Sequence, residues 1–237
     1  MNIGTIKLEC LPDEQRNYLM SLPEGKSEIP VYYRDGAGGV FFVSDFVLTD
    51  NKLFEKTAPV GLYRGGALLK LLTKNGQVVL YDERYQWLRL VGGIARFTEG
   101  SDLTKTALRE AVVEELVVLA ENETVRLVPE GTNKLVGRSI PEWGITVERI
   151  LETGSLSVFR HFFNDANRAF EVVVLWDISD WDGLAILHNE EWFKGGRTGF
   201  APIVIDEKGT IVGMYDGRHG YAPLPVHKLH STLEDCL

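Results

Sequence analysis

Apolar residues fall into two rhythms along this chain, one reading as strand and one as helix. Residues 66–73 (GALLKLLT) and 77–82 (QVVLYD) flank Lys74, Asn75 and Gly76, and apolar runs around an Asn-Gly pair predict a β-hairpin. Residues 87–91 (WLRLV) predict a third strand that ends at Gly92 and Gly93. Leu108, Ala111, Val112, Leu116 and Leu119 then recur at helical spacing, which predicts a helix over 103–120 capped by Ser101 or Asp102. Strands are expected at 124–128, 155–162 and 169–178, the last because the β-branched run in FEVVVLW suits a buried strand. A second hairpin is expected where 202–205 (PIVI) and 210–214 (TIVGM) flank Asp206–Gly209. Upstream, 12–21 predicts a short helix, 28–33 and 39–46 predict strands, and 48–57 is a polar stretch. Strands and helices interleave, which points to an α/β or α+β layered domain.

Composition narrows this picture. The 237 residues are 44% hydrophobic and 25% charged, ordinary values for a globular protein with a sizeable core. A formal charge of −9 argues against a broad basic surface that tracks nucleic acid. Cys10 and Cys236 are the two cysteines and make no disulfide framework or metal knuckle, so free thiols in a reducing cytoplasm are expected. The N-terminal residues lack a basic start and an apolar core, so no secretory signal is expected. No apolar run approaches the roughly 20 residues needed to span a bilayer. The expectation is a cytoplasmic protein with neither membrane nor nucleic acid as partner.

Candidate chemistry concentrates between Gly92 and Leu116. On a continuous helix Glu110 and Glu114 would project about 40° apart, and two carboxylates that close repel unless a cation sits between them. Mg²⁺ (or Mn²⁺) takes hard oxygen ligands and shares them with substrate phosphates. The adjacent Glu115 would lie about 140° from Glu110, toward the apolar stripe.

Gly93 followed after five residues by Glu99, then Arg109-Glu110 on the following element, resembles the box of the Nudix hydrolase family, G-x5-E-x7-R-E-U-x-E-E-x-G-U with U bulky and aliphatic. WLRLVGG is similar to the family's W-x-L-P-G-G, with Val91 in place of proline. The resemblance covers about residues 64–120. Nine residues rather than seven separate Glu99 from Arg109, Val113 stands at a glutamate position and Leu116 at the terminal glycine. The resemblance implies a Nudix-type α/β/α sandwich with a mixed sheet in 61–237, carrying a C-terminal extension. Residues 1–60 would be a separate N-terminal extension, strand-rich and dimerising, because 40–43 (VFFV) needs a partner in the chain's own core or in a second subunit.

The resemblance also assigns roles. Glu110, Glu114 and the Gly92 carbonyl would bind the metal, with Gly92, Gly93 and Trp87 beside the substrate. Arg109 would join Glu110 and Glu114 in the catalytic set by pairing with Glu99 or Asp102 and orienting the helix. The reaction implied is metal-dependent hydrolysis of the diphosphate linkage in a nucleotide or nucleotide-sugar. A degenerate box leaves a second expectation, a non-catalytic nucleotide-binding or regulatory module. Glu190 and Glu191 are weaker candidates for a further ligand or general base, and Tyr85, Trp192 and Phe193 for base stacking. His227 and His230 have suggestive spacing but sit on a polar tail, and an unliganded pair is expected.

Overall fold

The computed structural model describes residues 3–22, 29–46, 61–82, 85–111, 116–120, 126–127, 139–140, 145–146, 156–164, 168–180, 184–188, 200–214 and 228–229. In chain order the elements are β1 (Gly4–Lys7), α1 (Asp13–Met20), β2 (Val31–Arg34), β3 (Val40–Ser44), β4 (Leu62–Thr73), β5 (Gly76–Asp82), β6 (Trp87–Arg89), β7 (Val91–Ile94) and α2 (Leu103–Leu108). They continue with β8 (Leu116–Ala120), β9 (Arg126–Leu127), β10 (Ser139–Ile140), β11 (Ile145–Thr146), β12 (Leu156–Asn164) and β13 (Ala169–Asp177). Last come β14 (Leu184–His188), β15 (Phe200–Ile205), β16 (Ile211–Met214) and β17 (Lys228–Leu229). The chain is of the α/β class, with a mixed sheet and few helices.

Two compact units divide the chain. The first comprises Met1–Leu68, Gly93–Ala107 and Val158–Val173. Here β1 runs parallel to β3, β3 antiparallel to β2, and β2 antiparallel to the start of β4, with Val31 opposite Arg64 and Tyr33 opposite Leu62. Leu11, Leu19, Ile29, Val31, Val43, Phe46 and Leu62 form its buried cluster. Phe42 and Val43 are therefore covered by the chain itself. Removing such side chains from water contributes roughly 1.5–3 kcal/mol each.

The second unit comprises Leu69–Gly92, Leu108–Ser157 and Val174–Leu237. Its spine is the expected hairpin, where Leu71 faces Val78 and Thr73 faces Gly76. Lys74 and Asn75 make the turn, Thr73 Oγ1 donates to the Gly76 carbonyl at 2.9 Å, and Gly76 opens the return strand at φ 134°. A Cβ there would stand 2.4 Å from the Ile205 carbonyl oxygen, so both conformation and space require glycine. β15 pairs antiparallel with β5 and with β16, giving the second expected hairpin.

One expectation fails. The predicted helix over 103–120 is α-helical only as α2, turns through a π-helical step at 109–111, and is strand from Leu116. Val117 and Val118 lie in β8, which pairs antiparallel with both β14 and β9. β-branched side chains lose rotamer freedom in a helix and pack well on a pleated sheet, and two strand partners decide the matter. The angles of 40° and 140° computed for a continuous helix do not apply to this segment.

Candidate functional site

In the first unit, the loop between β7 and α2 is pinned by one carboxylate. Glu99 ends a 3₁₀ turn (Phe97–Glu99), and its Oε2 accepts hydrogen bonds from the Arg96 backbone N–H at 2.8 Å and from Thr106 Oγ1 at 2.6 Å. Thr106 is fully buried on α2, so Glu99 fastens both ends of an eleven-residue loop, 96–106. Asp102 precedes α2 and accepts from Thr104 Oγ1, with the Lys105 ammonium 3.6 Å away. Tyr32 lies beneath the loop and donates its hydroxyl to the Gly100 carbonyl at 3.2 Å. Burial pushes this phenol well above its ordinary value, and the Glu99 and Asp102 carboxylates push it further in the same direction.

Sequence reasoning passed over a carboxyl on β13. Glu171 is half-buried, and its Oε2 is shut off from solvent with no hydrogen-bond partner. Burial pushes this carboxyl above its ordinary value, while a hydrogen bond from the Asn164 side chain and the Arg64 charge pull the other way. A Cβ built on Gly66 would sit 3.4 Å from Glu171 Cγ and 3.4 Å from Gly93 O. The signal in sequence was a single acid inside the run 170–176, where every other residue is apolar.

The second unit holds the paired residues of the box. Arg109 Nη1 lies 2.6 Å from Glu110 Oε1, with both side chains 12% exposed. The pair stands on the π-helical step, a local widening of the helix that recurs at functional sites. Gly92, at the end of this unit's β6–β7 segment, has φ 152°, a conformation that favours glycine. Trp87 and Tyr85 are 37% and 52% exposed, with ring centroids 5.3 Å apart and planes at 31°. They present an apolar platform on which a flat ring could stack.

Glu114, Glu190, Glu191, Trp192, Phe193, His227 and His230 lie outside the described residues. Among the described residues, no three His, Cys, Asp or Glu side chains converge on a metal position. Glu110 and the Gly92 carbonyl are hard oxygen donors of the kind Mg²⁺ accepts, and thus fit a part of such a site chemically. No helix among the described residues is long and apolar enough to cross a membrane.

No family model matches the chain, and no curated protein matches it. Among solved structures, a NUDIX-family hydrolase from Clostridium perfringens is similar at 12% identity, over 56% of this chain and 85% of that one, with a TM-score of 0.27. A likeness that slight carries no functional weight.

Proposed function

We propose that the chain is a Nudix-type pyrophosphohydrolase that cleaves the diphosphate linkage of a nucleotide or nucleotide-sugar. The proposal includes the α/β/α sandwich that this family's box implies. Its support is the order Gly92, Gly93, Glu99, Arg109, Glu110 in the sequence. The observation that carries it is the 2.6 Å ion pair of Arg109 and Glu110, two charges largely withdrawn from solvent. Such a pair costs desolvation energy and is weak grounds for stability alone, so a role for its carboxylate is the better account.

In this reading Glu110, Glu114 and the Gly92 carbonyl would hold Mg²⁺ or Mn²⁺. The metal would supply Lewis-acid charge at the diphosphate. Arg109 holds one oxygen of the Glu110 carboxylate at 2.6 Å and so fixes its direction. Gly92 adds no side-chain bulk where phosphates approach, and Trp87 with Tyr85 offers the base a stacking face. The substrate is a small anionic nucleotide rather than a nucleic acid. A homodimer, a cytoplasmic location and a boundary near residue 60 belong to the same proposal.

Incubation with a panel of nucleoside diphosphate derivatives and Mg²⁺ or Mn²⁺ tests it. Turnover that falls at least about 100-fold in Glu110→Gln and Glu114→Gln is the expected result, the size of effect seen when a transition-state contact is removed. Wild-type turnover no greater than that of the variants would refute hydrolysis. One observation favours a second reading, a nucleotide-binding or regulatory module: α2 ends at Leu108 instead of running on through the box. Calorimetry showing stoichiometric, uncleaved nucleotide would select that reading.

A further inference from the structure

We infer that the Arg34 guanidinium, backed by the charge of Arg168, is a seat for a phosphate group. The seat lies in the first unit and uses none of Gly92, Glu110 or Glu114, so it is independent of the hydrolase reading.

Strand register assembles it. Arg34 donates its backbone N–H to the Gly61 carbonyl at 2.7 Å, one rung past the Tyr33–Leu62 pair of β2 and β4. Side chains alternate across a strand, so Tyr32, Arg34 and Tyr63 share one face of this sheet. The Phe163 ring of β12 meets the Tyr63 ring there, with centroids 4.7 Å apart. One guanidinium rests on each ring of this touching pair. Arg34 Cζ lies 4.8 Å from the Phe163 centroid, and Arg168 Cζ lies 4.7 Å from the Tyr63 centroid.

The two cations are held differently. Arg168 Nη1 donates to the hydroxyl of Tyr63, a buried residue, at 3.2 Å, which fixes the second charge in place. Arg34 is exposed, and its ring contact engages the flat face of the guanidinium and not the N–H edge. Among the described residues no carboxylate forms an ion pair with it. The adjacent acid, Asp35, is occupied by the turn after β2, where its Oδ1 accepts from the backbone N–H groups of Ala37 and Gly39 at 3.0 and 2.7 Å. Residues 156–164 (LSVFRHFFN) contain no acid at all. In a chain with 34 acidic against 25 basic residues, an arginine kept clear of carboxylates is an island of positive potential.

The chemistry of the two cations selects the ligand. A planar fork steadied by a ring matches two oxygens of a phosphate at once, and the second cation matches a second charge. A phosphate monoester carries about 1.5–2 negative charges at neutral pH, more than a carboxylate, so this pair favours phosphate.

Calorimetric titration of the full chain with inorganic phosphate, in chelator so that no divalent cation bridges to the anion, tests the seat. The wild type should bind one phosphate per chain. Arg34→Gln should weaken it at least about 10-fold, and Arg34→Lys, which keeps the charge and loses the fork, by an intermediate factor. Arg168→Gln should weaken it about 3-fold, through charge alone. Lys105→Gln, which removes an exposed cation of the same unit, should leave binding unchanged. Acetate should bind more weakly than phosphate. A nucleoside monophosphate that binds more tightly than inorganic phosphate, and loses that advantage in Arg34→Gln, assigns the seat to an organic phosphate; equal affinities assign it to the free ion. Equal phosphate binding by wild type and Arg34→Gln would overturn the inference, as would an equal loss in Lys105→Gln or no binding by the wild type. A chain that binds phosphate through Arg34 yet turns over no diphosphate would refute the hydrolase reading alone.

Discussion

Two glutamates of the first unit occupy opposite situations. Glu99 has an oxygen engaged by a backbone N–H and a buried hydroxyl, and it fastens the loop from Arg96 to Thr106. Glu171 is hydrogen-bonded by Asn164, yet it keeps Oε2 buried and unpaired. A carboxylate of the first kind stabilises the fold that holds it. One of the second kind burdens the fold that holds it. The contrast teaches that Glu99 is a structural fastener, while Glu171, on β13, carries an oxygen the fold leaves unpaired.

The largest effect should come from removing the fastener. Glu99→Ala strands the Thr106 hydroxyl and the Arg96 N–H, and charged hydrogen bonds contribute about 1.5–3 kcal/mol each. A loss of about 3 kcal/mol in urea denaturation is expected. Thr106→Val should cost less, and the double variant should cost less than the sum, since the two residues share one interaction. Strict additivity would mean that the Glu99–Thr106 contact does not hold the loop.

Glu171→Gln should move stability the other way. The amide removes a partly desolvated charge that burial disfavours. A gain of about 1 kcal/mol is expected from neutralising it. A loss of similar size would show that Oε2 already has a stabilising role, and the contrast with Glu99 would collapse.

Much of the scaffold for these two residues was legible in the sequence, and the reasons are local. Residues 66–82 combine apolar runs with a turn sequence, and both signals act within a few residues, so the hairpin was fixed before any long-range contact. The run 170–176 is β-branched and apolar enough to be a strand in any layered fold. Residues 103–120 were not legible in the same way. Leu108, Ala111 and Leu116 satisfy a helical stripe, but Leu116 and Val118 satisfy a strand face as well, and both are buried in β8. Pairing with β14 and β9, distant in sequence, settles which pattern is used. The Arg109–Glu110 pair was visible as a motif, whereas the π-helical step beneath it was not. Glu171 was overlooked because a lone acid in a strand reads as a solvent-facing position, and only tertiary packing closes one of its oxygens off.

The smallest effect at neutral pH should come from Tyr32, which links the two cases because it touches the fastened loop while lying against Phe170, the neighbour of Glu171 in sequence. Tyr32→Phe removes the hydrogen bond to the Gly100 carbonyl and should cost about 1 kcal/mol near neutrality. The alkaline limb should respond differently. The phenol in the folded protein is held well above its ordinary 10.0, by burial and then by the Glu99 and Asp102 carboxylates. A raised folded value means the folded state binds the proton more tightly than the unfolded chain. The contribution to stability is therefore full below the unfolded value near 10 and is lost as pH rises through the folded one. Denaturation at about pH 8 and about pH 11 separates the two terms, since only the second pH exceeds the ordinary tyrosine value. The wild type should lose more stability between those two points than Tyr32→Phe, so the gap between them narrows or reverses in alkali. Parallel losses would mean that Tyr32 releases its proton as easily folded as unfolded. In that event the carboxylates of the fastened loop exert no field on it, and Glu99 would act through its hydrogen bonds alone.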